Sequence, residues 1–275
     1  MTSNWISRIR AAKPLIECLT NDVTITDVAN TILDVGASPV MGVAEAEIPG
    51  LVKAASAVVI NIGTFSAELE ERYLLALKVA HEFGKPVVFD PVGAGATDYR
   101  TDITKNLLQA HPIAIIRGNA SEIKALLKGR GSTVGVEAAD DDVINDNTLV
   151  AQAEIARNVA KTYRCVVSMS GQIDVICDSC NAYACRNGVP WLCSVTGTGC
   201  SLTGLLAAFA AVATRQELLE AATFGTAMMG VAGELAFNRT ANLGLGSFHV
   251  ALHDELSMMT DLRLEQLAKL QPIQA

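Results

Sequence analysis

Residues 57–90 read AVVINIGTFSAELEERYLLALKVAHEFGKPVVFD, and they determine the architecture more than any other part of the chain. The stretch begins with a short apolar run at 57–62 and ends with a second one at 86–90. Residues 66–83, between the two runs, are expected to form a helix. Almost entirely apolar strands are typical of strands that are buried on both faces of a sheet. The stretch therefore predicts a strand–helix–strand unit, whose crossover joins two parallel strands.

The same alternation continues towards the C-terminus. Two more strands are predicted by the apolar runs at residues 113–116 and 165–168. Further helices are expected at residues 104–110, 121–128 and 147–163. Alternating strands and helices are characteristic of an α/β fold with a central, mainly parallel sheet and helices on both faces.

The pattern changes after Gly171. Residues 174–177 and 182–185 are short apolar runs separated by a Cys-Asp-Ser-Cys turn, and they predict an antiparallel hairpin. From Cys200 onward almost every segment predicts a helix. We therefore expect a mostly helical C-terminal third.

Composition limits the class of protein. A chain of 275 residues fits one large α/β domain, here residues 1–275, better than two small ones. Half of the residues are hydrophobic, which allows a sizeable core, and the formal charge of −8 argues against nucleic acid or an anionic membrane as the main partner. The N-terminus lacks the pattern of a secretory signal and the apolar stretches are too short to span a bilayer, so we expect a soluble, cytoplasmic protein.

The seven cysteines are an odd number in a chain of cytosolic character, which favours free thiols over disulfides. Cys177, Cys180 and Cys185 have a spacing that is compatible with zinc ligands. A zinc site would need a fourth ligand, and the four histidines lie far away in sequence. We therefore expect free thiols in this segment.

Residues 196–200, Thr-Gly-Thr-Gly-Cys, precede an apolar run with helical spacing. Such a loop leads into a helix N-terminus, where unpaired N–H groups and the helix dipole favour an anion such as a phosphate. Cys200 lies at this end of the helix, where a thiol gains reactivity. The loop has neither of the two common nucleotide-binding signatures, and a plain loop-to-helix junction would need the same glycines.

Charged residues follow two of the predicted strands. Asp90 ends the strand at 86–90, and Arg117 and Glu122 follow the strand at 113–116. Because the carboxyl ends of parallel strands lie along one edge of the sheet, these side chains are expected to meet. Two carboxylates and an arginine suit a magnesium–triphosphate group, although Asp90 taken alone is better interpreted as an ordinary turn residue before a proline. Asn119 or Ser121 can cap the helix that follows.

Several other residues have two interpretations each. Ser168 could bind a phosphate or satisfy a local backbone group. Met41 could line a small aromatic pocket, although methionines more often lie in the core. Ser247 is predicted to cap the last helix, and His249 and His253 lie one turn apart beyond it. With no third ligand in the sequence nearby, we interpret these histidines as surface or core residues.

Taken together, these motifs resemble the hydroxyethylthiazole kinase family, within the ribokinase-like superfamily. They occur in the expected order over almost the whole chain. The matching segments are residues 18–21 (CLTN), 36–41 (GASPVM), 90–97 (DPVGAGAT), 117–122 (RGNASE), 196–200 (TGTGC) and 246–248 (GSF).

The resemblance implies phosphorylation of the primary alcohol of 4-methyl-5-(2-hydroxyethyl)thiazole, with MgATP as phosphoryl donor. It also implies a homotrimer with active sites between neighbouring subunits. Most ribokinase-like sugar kinases have an aspartate base where this family has the cysteine. By position, the resemblance assigns Asp90 and Glu122 to magnesium, Arg117 and Ser168 to the ATP phosphates, Met41 and Gly197 to the thiazole, and Cys200 to its hydroxyl.

Three alternatives are open from the sequence. The first is a related kinase for another heterocyclic alcohol, such as hydroxymethylpyrimidine. The second is a nucleotide-dependent hydro-lyase on a similar fold, and the third is a ligand-binding homologue without catalytic activity. The joint presence of Asp90, Arg117, Glu122 and Cys200 argues against the third.

Overall fold

The computed structural model describes residues 4–127 and 143–274, and nine strands in these ranges form a single sheet. In chain order the strands are β1 (Leu15–Leu19), β2 (Ser38–Val40), β3 (Ala57–Asn61), β4 (Val87–Asp90), β5 (Ile115–Asn119), β6 (Val166–Ser170), β7 (Asp174–Cys177), β8 (Ala182–Cys185) and β9 (Leu270–Pro272). Their order across the sheet is β2-β1-β3-β4-β5-β6-β7-β8-β9. The six strands from β2 to β6 in this order are parallel, and β7, β8 and β9 are added antiparallel. The predicted mainly parallel sheet and the predicted hairpin are both confirmed.

Helices cover both faces of this sheet. They are α1 (Trp5–Ala12), α2 (Ile25–Val35), α3 (Ile48–Ala54), α4 (Ala67–Glu82), α5 (Asp98–Ala110), α6 (Ala120–Ala125), α7 (Leu149–Tyr163), α8 (Thr198–Ala210), α9 (Leu218–Thr240), α10 (Leu245–Ser257) and α11 (Asp261–Leu267). On one face α1, α2 and α8–α10 bury residues such as Val59 of β3. On the other face α3–α7 bury Val58 and Ile60 of the same strand. Successive side chains of β3 thus belong alternately to two separate cores, as a strand between two helical layers requires.

Helix boundaries follow local capping. α4 and α7 lie where residues 66–83 and 147–163 predict them. α5 begins six residues before the predicted 104–110, at Asp98, because the Thr97 hydroxyl accepts the N–H of Arg100 and caps the helix. The helix predicted at 121–128 is α6, which Asn119 caps; Lys128 lies outside the described residues.

One expectation for the C-terminal region, the capping role of Ser247, is wrong. α10 begins at Leu245, directly after Gly244, so Ser247 lies within its first turn and is not the cap. Gly244 has a φ of +105°, a conformation that a serine rarely adopts. The C-terminal third is otherwise mostly helical, as expected, and the short strand β9 pairs with β8 at the edge of the sheet. None of the helices in the described ranges has both the length and the hydropathy needed to cross a bilayer.

Candidate active site

Polar residues cluster along the carboxyl edge of the parallel strands. Asn61 ends β3 and Asp90 ends β4, and the two residues are paired in register. On the next strands Asn119 is likewise paired with Ser170. The expected meeting of strand ends is therefore realised, and this edge faces the N-terminus of α8.

Asp90 is fully buried at the centre of the cluster. Its Oδ2 accepts hydrogen bonds from Asn61 Nδ2 at 2.9 Å and Thr203 Oγ1 at 2.7 Å, and lies 3.8 Å from Nη1 of Arg117. Burial raises the pKa of Asp90 to about 6, an effect that Arg117 opposes and Glu122 reinforces. Its Oδ1 has no hydrogen-bond partner among the described residues. A buried carboxylate oxygen with free lone pairs is the donor type that Mg²⁺ prefers.

Cys200 is linked to Asp90 by two asparagines that the sequence analysis did not assign to the site. Asn21 Nδ2 donates to Sγ of Cys200 at 3.2 Å and to Asn61 Oδ1 at 3.0 Å. Asn61 Nδ2 in turn donates to Sγ of Cys200 at 3.3 Å and to Asp90 Oδ2. A polar residue at the end of the apolar strand β3, one strand away from Asp90, is the signal that would have identified Asn61.

The predicted anion site at residues 196–200 is a helix N-terminus, as expected. α8 starts at Thr198, and Gly197 precedes it with a φ of +91°. A Cβ on Gly197 would lie 2.9 Å from Thr24 Cγ2 and 3.2 Å from Oδ2 of Asp27, so the loop passes closely over α2. A Cβ on Gly199 would lie 2.5 Å from Nη1 of Arg117. Glycine at 199 therefore allows the guanidinium to lie against the first turn of α8.

Glu122 is held mainly by backbone groups. Its Oε1 accepts the N–H of Gly93 at 2.8 Å and its Oε2 accepts the N–H of Asn119 at 2.8 Å, while Asn119 Oδ1 accepts the N–H of Glu122. The last two bonds form a capping box at the start of α6. Glu122 thus fixes the glycine-rich loop after β4 in addition to placing a second carboxylate near Asp90.

The structure separates the two serines of β6. The Ser168 hydroxyl is fully buried and shares a hydrogen bond with Thr226 Oγ1 at 3.0 Å. Ser170, two residues further, accepts from Nη2 of Arg117 at 2.9 Å. Ser170, and not Ser168, lines the large cavity beside the cluster.

That cavity has a volume of about 880 Å³, in the usual range for a small-molecule site. Burial raises the pKa of Asp174, in its wall, to about 7, although the N–H of Gly171 and the charge of Arg117 act in the opposite direction. The wall extends from the end of β6 to α9, and includes Arg117, Ser170, Asp174, Val189, Gly199 and Thr226.

Met41 lies apart from this cavity. It follows β2, is half-buried and packs against the core that contains α2 and α8. Beneath the neighbouring Gly42 lies Glu17, which is fully buried and whose two carboxylate oxygens have no hydrogen-bond partner among the described residues. Burial raises the pKa of Glu17 to about 7.

The structure therefore brings five of the seven predicted site residues to one region: Asp90, Arg117, Glu122, Gly197 and Cys200. Ser168 lies two residues before Ser170 on β6 and does not line the cavity. Met41 lies on another loop. The three cysteines of the hairpin are free thiols that differ in exposure. Cys177 and Cys185 are buried, and Cys180 is exposed in the turn.

Comparison with known proteins defines the class first. A ribokinase-like superfamily protein from Enterococcus faecalis V583 superposes with a TM-score of 0.60 at 12% identity, over 93% of this chain and 89% of that one. At this identity the likeness concerns the fold alone. The chain has the ribokinase-like fold.

The family follows from more similar proteins. The model of the hydroxyethylthiazole kinase family matches residues 6–261. A hydroxyethylthiazole kinase from Clostridium beijerinckii is 39% identical over 98% of this chain and 96% of its own length. The solved structure of a hydroxyethylthiazole kinase protein from Pyrococcus horikoshii OT3 has a TM-score of 0.83 and 31% identity, over 98% of both chains. The chain belongs to the hydroxyethylthiazole kinase family.

Proposed function

We propose that this protein transfers the terminal phosphoryl group of ATP to the hydroxyethyl group of 4-methyl-5-(2-hydroxyethyl)thiazole, giving the thiazole phosphate and ADP. Membership of the family supports the choice of acceptor. One observation carries the reaction type. Cys200, at the N-terminus of α8, is joined through Asn61 to the buried Asp90, and Asp90 lies beside Arg117, which lines the cavity.

Magnesium fits the residues present. Asp90 offers Oδ1, a buried oxygen without a hydrogen-bond partner among the described residues, and Glu122 lies close enough to influence the pKa of Asp90. These two carboxylates would hold the ion. When bound, Mg²⁺ neutralises negative charge on the triphosphate and on the group in transfer.

The phosphates would lie between Arg117 and the first turn of α8. A guanidinium can form two parallel hydrogen bonds with phosphate oxygens, and the free N–H groups of the helix favour the same anion. Phosphoryl transfer depends mostly on positioning and charge neutralisation, and this arrangement provides both. We assign the hydroxyl contact to Ser170 in place of Ser168, because Ser170 lines the cavity and bonds to Arg117.

Cys200 would orient the acceptor hydroxyl. The amides of Asn21 and Asn61 both donate to its sulfur, which fixes the side chain in one position. The acceptor oxygen attacks the terminal phosphorus, the bond to the ADP oxygen breaks, and the hydroxyl proton leaves to Cys200 or to solvent. Because the proton can leave late in such a reaction, a thiol suffices as the neighbouring group.

The acceptor pocket and the assembly rest on the family resemblance. Met41 and Gly197 would contact the thiazole, in a homotrimer whose sites lie between subunits. Exposed apolar residues on and beside the neighbouring helices α2 and α10 support such an interface: Val23, Leu33, Leu243 and Val250. We further propose one kinase domain, because β1 and β9 belong to one sheet, and a cytoplasmic location, where ATP is available.

The test is ADP release from MgATP with the thiazole alcohol, with hydroxymethylpyrimidine and with no acceptor. We expect release with the thiazole alcohol alone. Faster release with the pyrimidine would favour the related kinase. Calorimetric binding of the thiazole without any ADP release would show a binding protein and contradict the proposal.

A further inference from the structure

Two histidines of α10 lie on the face that packs against α2. His249 and His253 are four residues apart, so their side chains are neighbours on one side of the helix. Their ring centroids are 5.2 Å apart. Both rings are partly accessible to solvent, with side-chain exposures of 36% and 22%.

α2 presents two carboxylates to these rings. Asp27 Oδ1 lies 3.2 Å from Nε2 of His249, and Asp34 Oδ2 lies 2.6 Å from Nδ1 of His253. Asp27 and Asp34 are seven residues apart, two turns of the helix, which places them on the same face as well. The two helices thus meet through two carboxylate–imidazole pairs.

Three of these four side chains converge. One donor atom each from Asp27, His249 and His253 lies within 4.8 Å of the other two. Ligands at about 2.0–2.1 Å from a tetrahedral zinc ion are roughly 3.4 Å apart. The three donors would therefore have to approach one another by no more than about 1.4 Å to reach that spacing.

Asp34 completes the arrangement from outside. A metal-bound histidine usually donates its second ring N–H to a carboxylate, which fixes the tautomer and orients the ring. In the tautomer in which Nδ1 of His253 donates its proton to Asp34, Nε2 carries the lone pair that a metal ion would bind. The convergence of three donors and the outer carboxylate are independent observations of the same site.

We propose that Asp27, His249 and His253 bind a divalent transition metal ion, with Zn²⁺ as the preferred occupant and Asp34 as the supporting carboxylate. Two imidazoles and one carboxylate are a common zinc ligand set that leaves a fourth position open. Mg²⁺ prefers oxygen ligands, so the site is chemically distinct from that of Asp90 and Glu122. The ion would link α2 to α10 beside the loop of Gly197, since Asp27 lies against that glycine.

The test is calorimetric titration of the full-length, chelator-treated protein with Zn²⁺ in the presence of Mg²⁺. All proteins carry Cys180→Ser and Cys193→Ser, because these exposed thiols would bind zinc themselves. We expect one saturable site per chain. His249→Gln/His253→Gln should weaken binding at least 100-fold, and Asp34→Asn should weaken it about 10- to 100-fold.

A second histidine pair offers a matched control. The rings of His81 and His111 are 5.4 Å apart, and His81→Gln/His111→Gln should leave the affinity unchanged. Zn²⁺ at a hundredfold excess over its Kd should also raise Tm by roughly 5 °C in the parent protein, and not in the His249/His253 variant. Absence of saturable binding, equal binding by the His249/His253 variant, or loss of binding in the control would overturn the proposal.

Discussion

The side-chain nitrogen of Asn61 lies 3.3 Å from the sulfur of Cys200. The same nitrogen lies 2.9 Å from Oδ2 of Asp90. One amide thus connects the residue proposed to orient the acceptor hydroxyl with the carboxylate proposed to hold magnesium. The two halves of the site cannot move independently without breaking one of these bonds.

Replacement of Cys200 tests the role of its sulfur. Cys200→Ala removes the acceptor of both amides. We expect kcat to fall about 10- to 100-fold, at or below the lower end of the roughly 10²- to 10⁴-fold contribution of a general base, because the thiol mainly orients the hydroxyl. Cys200→Asp should retain or improve activity, because a carboxylate accepts the same hydrogen bonds and, being ordinarily deprotonated at neutral pH, is available to accept the hydroxyl proton. Steady-state kinetics with the thiazole alcohol measure both, and Cys180→Ala, a change at an exposed turn, serves as control. An alanine variant with wild-type kcat would exclude a role for Cys200 as the base.

Gly199→Ala tests the contact between Arg117 and α8. The new Cβ would lie 2.5 Å from Nη1 of Arg117 and must displace the guanidinium from the helix N-terminus. We expect kcat/KM for ATP to fall at least tenfold, with little loss of stability, since alanine favours a helix over glycine. Gly50→Ala in α3 is the matched control, because a Cβ there meets nothing within 4 Å. Unchanged kinetics in the Gly199 variant would place the phosphates elsewhere.

The strand–helix alternation predicted the parallel sheet because apolar runs and helical spacing are local signals. It also predicted that Asp90 and Arg117 lie close together, since parallel strands end at the same edge of the sheet. Asn21 and Asn61 were not predicted, because their role depends on a hydrogen-bond chain between segments up to 179 residues apart. Ser168 and Ser170 are both serines of the same strand, and the sequence does not show which of them reaches the cavity. That depends on how far along β6 each residue lies. The third ligand for His249 and His253, Asp27, lies on a helix more than two hundred residues away in sequence.

The raised pKa of Asp90 predicts an acid limb in the rate. The pKa of about 6 means that the carboxylate is ionised above this pH and neutral below it, so kcat/KM should fall as the pH decreases through about 6. Thr203→Val removes a donor that stabilises the ionised form, and should move the limb to higher pH. Thr203→Ser keeps the hydroxyl and should leave it in place. An acid limb at the same pH in all three proteins would assign it to another group, such as Asp174 or ATP itself.

Glu17 predicts a pH-dependent change in stability. Burial raises its pKa from 4.5 to about 7, so the folded protein holds a proton that the unfolded chain releases, and stability decreases as the pH rises from 4.5 to 7. Glu17→Gln removes this ionisation. We expect the variant to gain about 3 kcal/mol over wild type at pH 8 and nothing at pH 4, as measured by urea unfolding. Glu265→Gln, at an exposed position of α11, should show no such pH dependence; an identical response of both variants would contradict the assignment to Glu17.

The most direct measurement is the identity of the phosphorylated product. Phosphorus NMR can follow the reaction that the protein catalyses between MgATP and 4-methyl-5-(2-hydroxyethyl)thiazole. The account predicts a phosphate monoester on the hydroxyethyl oxygen, formed in equal amount to ADP and formed much more slowly by the Cys200→Ala protein. Release of inorganic phosphate in place of the ester, or no consumption of ATP while the thiazole binds, would contradict it.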